Sequence, residues 1–263
     1  MSPAEVYEDF LVRWQFRPWT AALLAEASLR PGEHVLDLAT GTGIVAREAA
    51  PFVGADGHVV AMDINPAMLE VGQALPAPNG ATIEWRAGDA ARLPLPDAIV
   101  DVVLCQQGLQ YFPDRATALG EVQRVLRPGG RAVFAVWQPL VRNPVHHALN
   151  EAAHQSLGIA PFTTAFSLGD TGAVRELFEG TGFGQVTMTP RELVVVFPSR
   201  QEFVSRAIES AAQIVPELAT LDAKGRAALA LAIEEDARET LNAYSWGDGI
   251  AAPMAAQVIH VGR

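Results

Sequence analysis

The chain has 263 residues, 49% hydrophobic and 19% charged, which suits one large domain or a core with a cap and excludes a disordered chain. Its formal net charge is −11 and Lys224 is its only lysine, so a nucleic-acid partner is not expected. The single cysteine, Cys105, allows neither an internal disulfide nor a cysteine-built metal site, and in its apolar run it reads as a small buried hydrophobe.

In chain order, Tyr7, Phe10, Leu11 and Trp14 fall on one helical face. Arg17-Pro18 is expected to break that helix, and Trp19–Leu29 to resume it. Met1–Phe16 carries Glu5, Glu8 and Asp9 and does not read as a signal peptide. No uncharged apolar segment reaches spanning length, so a cytoplasmic protein without a membrane partner is expected.

From Val35 strands and helices alternate. Strands are predicted at Val35–Ala39, His58–Met62, Ala81–Arg86, Ile99–Cys105 and Arg131–Val136. Helices are predicted at Ile44–Phe52, Pro66–Leu75 (with Asn65 as N-cap) and Arg115–Leu126. The alternation predicts an α/β fold: a doubly wound, mostly parallel, seven-stranded sheet with helical cap insertions. After Trp137 the regularity fails. Thr171–Gly180 reads as a helix and Gln185–Phe197 as a β-rich run broken by Pro190. Arg200–Ile214 and Asp222–Ala243 read as helices, and Met254–Val261 as a last strand. The expected organisation is a helical cap segment (1–30), an α/β core (31–197) with an irregular insertion (139–170), a helical lid (198–250) and a returning strand (251–263).

Ligands of an open α/β sheet bind past the carboxyl ends of its strands. There the sequence places Asp37 and the turn Thr40-Gly41-Thr42-Gly43, then Asp63-Ile64, Gly88-Asp89-Ala90 and Gln106-Gln107. Glycines in the first turn let a ligand approach the backbone. A carboxylate only accepts hydrogen bonds, so Asp63 suits a ribose diol and Asp89 an exocyclic amine. Asp37 suits an ammonium group or fixes the turn itself.

The stretches VLDLATGTG (Val35–Gly43), VVAMDINPAML (Val59–Leu69), GDAARLPLPDAIVDVVLCQQGLQYFPD (Gly88–Asp114) and LRPGGRAVF (Leu126–Phe134) together resemble the class I S-adenosylmethionine-dependent methyltransferases. The small-molecule branch with the ubiquinone and menaquinone C-methyltransferases looks most similar. The resemblance implies S-adenosylmethionine as cofactor and a small organic acceptor, methylated at oxygen, nitrogen, sulfur or carbon. It would place Gly41 and Gly43 against the methionine part, Asp37 near its amino group and Asp63 on the ribose. Ile64 would lie on the adenine face, with Asp89 and the Ala90 backbone at the adenine edge. Gln106 and Gln107 would line the passage to the methyl group, and Tyr7 would close over the cofactor. Ala39, Thr42, Met68 and Gly88 complete the expected cofactor set.

Candidate bases are His146 and His147, which follow strand five, and Tyr111, with Gln110 as an alternative. The chain lacks an Asn-Pro-Pro-Tyr run after strand four, which speaks against methylation of adenine N6 or a glutamine amide, and it lacks an Asp/Asn cluster for magnesium, so no metal is expected. A monomer or homodimer is expected. The rival readings are a nicotinamide-dependent oxidoreductase and a non-catalytic S-adenosylmethionine-binding protein.

Overall fold

The apolar runs become the inner strands of one sheet. A computed structural model describes residues 2–263. Strands β1 (His34–Leu38), β2 (His58–Asp63), β3 (Thr82–Ala87), β4 (Val100–Gln106) and β5 (Leu126–Trp137) run parallel in the order 3-2-1-4-5. Two long strands complete the sheet. β8 (Gly249–Gly262) pairs antiparallel with β5, and β6 (Val186–Phe197) pairs antiparallel with β8. A two-residue β7 (Ser245–Trp246) pairs with the start of β8, so eight strands replace the expected seven.

Side chains alternate across each parallel strand and feed two cores. On one face, α2 (Arg17–Ala27) and α3 (Ile44–Val53) pack Leu23, Leu24, Val45 and Ala49 against Val35, Val59, Val102 and Val133. On the other, α5 (Arg115–Val125) and α7 (Thr171–Glu179) pack Leu119, Val122 and Phe178 against Leu36, Val60, Val103 and Phe134. α4 (Pro66–Ala74) begins as expected, with the Asn65 side chain accepting the Ala67 N–H at 3.0 Å. Strand order reverses between β1 and β4, which makes their carboxyl ends the switch point where ligands bind.

Several boundaries differ from expectation. Arg17-Pro18 breaks nothing. α1 (Pro3–Val6) continues into a π-helical segment (Tyr7–Phe16) and directly into α2. The Arg17 N–H reaches back five residues to the Val12 carbonyl, so the helix passes from π into α geometry just before Pro18 and is not broken there. Strand five starts at Leu126. Val100 pairs with Leu126 and Val102 with Arg131, so Arg127–Gly130 bulges out opposite Asp101. Pro190 does not interrupt β6, because β6 is the sheet edge, where a missing N–H leaves no neighbour unpaired. The expected helix Asp222–Ala243 is two helices, α10 (Ala223–Asp236) and α11 (Arg238–Ala243), which meet at Ala237.

The last strand begins at Gly249 rather than Met254, and this has consequences. β5 pairs only with Ala256–Gly262, whereas β6 stays paired with β8 up to Phe197↔Ile250. The upper halves of β6 and β8 therefore leave the sheet as a two-stranded arm. A third core forms on it. α6 (Pro144–Leu157), α8 (Arg200–Ala211) and α10 bring Leu149, Phe203, Ile208 and Ile233 onto Phe197, Ile250 and Met254. Phe10 and Leu11 of the π segment and Phe162 and Phe166 of the insertion join them. Among the described residues no helix is long and apolar enough to cross a membrane.

Candidate functional site

The site starts where β1 ends. Ala39 and Gly41 both have φ +56° and Gly43 has φ +83°, so the chain turns back on itself within five residues. Asp37, 1% exposed, holds this turn onto α3: its Oδ2 accepts the Ala46 N–H at 2.9 Å and the Thr40 hydroxyl. Burial raises its pKa to about 7 in spite of those two bonds. Of the two roles open to Asp37, fixing the turn is the one the contacts display.

Asp63, at the end of β2, reaches across to the same turn. Its Oδ2 accepts the Gly41 N–H at 2.8 Å and its Oδ1 accepts the Asn65 N–H at 2.9 Å. Burial raises its pKa against these backbone bonds. Each oxygen keeps acceptor capacity for a further donor. Beside it Ile64 is 72% exposed, an apolar side chain displayed to solvent. Met68 is half-buried on the first turn of α4. At the end of β3, Asp89 is exposed and its Oδ1 accepts the Ala91 N–H at 2.9 Å, while Ala90 is buried behind it. Gly88 is needed for packing: a Cβ there would stand 2.7 Å from the Met62 Sδ.

The two glycines of the turn serve different neighbours. A Cβ on Gly41 would come within 3.3 Å of the Tyr7 hydroxyl, so Tyr7 lies over the turn. A Cβ on Gly43 would stand 2.3 Å from the Trp85 ring, and one on Gly72 2.4 Å from it. Gly43 makes room for an indole from β3. Glu8, next to Tyr7, accepts the Thr42 hydroxyl and pairs with Arg47 at 2.8 Å. Arg47 also donates to the Thr42 carbonyl. Burial, with Asp63 nearby, raises the Tyr7 pKa. Glu8 and Trp85 escaped the sequence reading. Glu8 sits where a helical surface acid is ordinary, and Trp85 has no spacing signal.

Past β4, Gln107 has φ +55° and its N–H donates to Ala135 at 2.9 Å. The Gln106 Nε2 donates to the Phe16 carbonyl at 3.1 Å. Three buried amide atoms here lack a protein partner: Gln106 Oε1, Gln107 Nε2 and Gln110 Oε1. Tyr111 follows on a 3₁₀ turn (Leu109–Tyr111) and is 42% exposed.

The two histidines part company. His146 is buried among Phe162, Phe166 and Phe203, with ring centroids 5.5–5.7 Å away. Burial lowers its pKa to about 4, so it is neutral at physiological pH. His147 lines a groove with Glu151, Asp236 and Thr240, formed by α6, α10 and α11. Neither is brought to the Gly41 turn or to Asp63 by a contact. Among the described residues no group of His, Cys, Asp or Glu is arranged to hold a metal.

Residues 35–130 match the family model described as a methyltransferase domain. The ubiquinone/menaquinone biosynthesis C-methyltransferase UbiE of Cupriavidus metallidurans is 36% identical over 143 residues, covering 53% of this chain and 59% of that protein. The UbiE protein of Burkholderia mallei is 37% identical over 140 residues, covering 52% and 58%. The chain spans about three-fifths of the length of these relatives. Among solved structures, YcgJ of Bacillus subtilis superposes with a TM-score of 0.60 at 18% identity, covering 94% of this chain and 98% of that one. The phosphoethanolamine N-methyltransferase 2 of Haemonchus contortus superposes with a TM-score of 0.61 at 15% identity, covering 99% and 56%. At these identities the structures establish a shared fold.

Proposed function

We propose that this chain, whose residues 35–130 form a class I S-adenosylmethionine-dependent methyltransferase domain, moves a methyl group from that cofactor to a small organic acceptor. The relatives are named C-methyltransferases, which favours carbon as the atom methylated. The cofactor supplies an already activated methyl group, so the protein has to bind, orient and exclude water.

One observation carries the reading. Asp63 grips the Gly41 N–H at 2.8 Å beneath Tyr7, which joins the β1 turn and the β2 acid into one continuous edge. That edge suits the cofactor: a Cβ at Gly41 would narrow the gap to Tyr7, and the free lone pairs of Asp63 match two hydroxyl donors. Ile64 offers the adenine an apolar face, and Asp89 offers its N6 an acceptor. Tyr7 would cover the bound molecule. Asp37 acts one step behind, by holding the turn.

Asp63→Ala removes two charge-assisted hydrogen bonds to the ribose, each worth about 1.5–3 kcal/mol. Calorimetric titration with S-adenosylhomocysteine is expected to show at least a tenfold loss of affinity against the native chain. Equal affinity in both proteins would remove Asp63 from the site. Tight binding of NAD with none of S-adenosylhomocysteine would turn the reading to an oxidoreductase.

A further inference from the structure

We infer that the side-chain amides of Gln107 and Gln110 form a recognition pair for the methyl acceptor, one that selects a molecule presenting both a hydrogen-bond acceptor and a hydrogen-bond donor. The inference rests on the methyl-transfer reading above.

Three unfavourable features coincide at this point of the fold. Gln107 is 5% exposed and its Nε2 has no partner; Gln110 is 2% exposed and its Oε1 has none. A buried polar group without a partner destabilises a fold, and such groups are rare. Gln107 also holds φ +55°, a conformation uncommon for residues with a Cβ.

The loop cannot relax to relieve them. The Gln107 N–H is bonded to Ala135 at 2.9 Å, and the Gln110 carbonyl accepts Arg115 at 2.9 Å. Between them, a Cβ on Gly108 would stand 2.6 Å from the Ala39 Cβ, so the turn is packed hard against the end of β1. Backbone needs are met, and what remains over is side-chain hydrogen-bonding capacity.

The amides are joined by one bond, Gln110 Nε2 to Gln107 Oε1 at 3.3 Å. That bond engages the Gln107 oxygen and one Gln110 N–H, and it leaves the Gln107 Nε2 as an unused donor and the Gln110 Oε1 as an unused acceptor. A carboxamide or a lactam carries both complementary groups. Position assigns the pair to the acceptor rather than the cofactor. Asp63 and Ile64 lie on the β2 side of β1, whereas Gln107 is bonded to the end of β5, on the opposite side of the switch point.

The test uses the full chain and the double variant Gln107→Met/Gln110→Met, in which both amides become unbranched apolar side chains. Without ligand, the variant is expected to melt about 2–4 °C above the native protein, because two unpaired buried groups are gone. Its affinity for S-adenosylhomocysteine is expected to stay within about twofold. Benzamide is the probe for the pair. Saturation-transfer NMR on the S-adenosylhomocysteine complex is expected to detect it on the native protein and to lose it on the variant. A lower melting temperature would make the pair structural, and a fivefold or larger loss of S-adenosylhomocysteine affinity would give it to the cofactor. Either result overturns the inference, as does benzamide that fails to bind the native complex or binds both proteins alike. Failure of the native protein to bind S-adenosylhomocysteine would strike the methyl-transfer reading instead, and the melting comparison would still report on the pair.

Discussion

At the scale of single residues, two buried titratable groups act on stability with opposite signs. Burial raises Asp37 to about 7 and lowers His146 to about 4. A carboxyl raised on folding stabilises the fold below its ordinary value of 3.8, and that contribution is lost as pH rises through about 7. An imidazole lowered on folding does the reverse. Its unfolded form takes up a proton near the ordinary 6.5, so stability falls as pH drops from there to about 4. The two trends partly offset between pH 4.5 and 6.5. Asp37→Asn keeps an oxygen for the Ala46 N–H and should show stability that rises with pH over that range. His146→Phe should show stability that falls from pH 4.5 to 7. Urea midpoints measured in steps of one pH unit test both; parallel curves for the native chain and the two variants would refute the assignment. The turn glycines give a second contrast. Gly41→Ala puts a Cβ 3.3 Å from a ring that can tilt, whereas Gly43→Ala puts one 2.3 Å from the Trp85 indole, wedged also against Gly72. Gly43→Ala should therefore cost more stability, by about 1–3 kcal/mol for overpacking, and Gly41→Ala should act mainly on cofactor affinity. Chemical denaturation and titration with S-adenosylhomocysteine separate the two effects.

At the scale of elements, the N-terminal helix is tied to the glycine turn by side chains. Glu8 bridges Thr42 and Arg47, and Arg17 pairs with Glu48 of α3 at 3.0 Å. The Arg17 pair is largely exposed and contributes little. The Glu8–Arg47 pair is mostly shielded, with side-chain exposures of 21% and 14%, and its loss leaves Arg47 without its anion. Glu8→Ala is expected to weaken S-adenosylhomocysteine binding by about threefold to tenfold, through a looser Tyr7 lid, with a small change in melting temperature. Arg17→Ala should change neither. Equal effects of the two variants would show that the helix does not act as a lid. The π-helical geometry matters to this arrangement. It carries the chain through Arg17-Pro18 without a break, so that one continuous helical run places Tyr7 and Glu8 at the turn and Trp19 in the core.

At the scale of the whole molecule, the third core covers the arm of β6 and β8. A series of aromatic contacts runs from the Gly41 turn into it: Tyr7 to Phe16, Phe16 to Trp137, Trp137 to Phe166 and Phe166 to His146, with centroid spacings of 5.5, 6.4, 6.1 and 5.6 Å. We propose that this cap shapes the acceptor side, while cofactor affinity resides in Gly41, Asp63 and Asp89. Truncation of Phe166 to Ala would remove core packing, at about 3–5 kcal/mol. Phe166→Leu is the gentler probe. It should change turnover on aromatic acceptors while leaving S-adenosylhomocysteine affinity within about twofold. Equal loss of both would end the division of labour.

The alternation of apolar runs with helical periods was enough to read the parallel half of the fold, because β1, β2 and β4 are almost wholly buried and the helices turn one apolar face to them. The Gly41 turn, Asp63 and Asp89 were legible as residues at the strand ends for the same reason, and the ends of such strands are where a ligand is expected. Partners distant along the chain were not legible. Asp37 could have served an ammonium group or its own turn, and only its contact with the Ala46 N–H shows the latter at work. Glu8 meets Thr42 across 34 residues, and the arm exists because β8 pairs with β6 beyond the end of β5. Local pattern encodes which face of an element is apolar. It does not encode which distant backbone or side chain completes a hydrogen bond, so the unpaired amides of Gln107 and Gln110 came to light only with the tertiary structure.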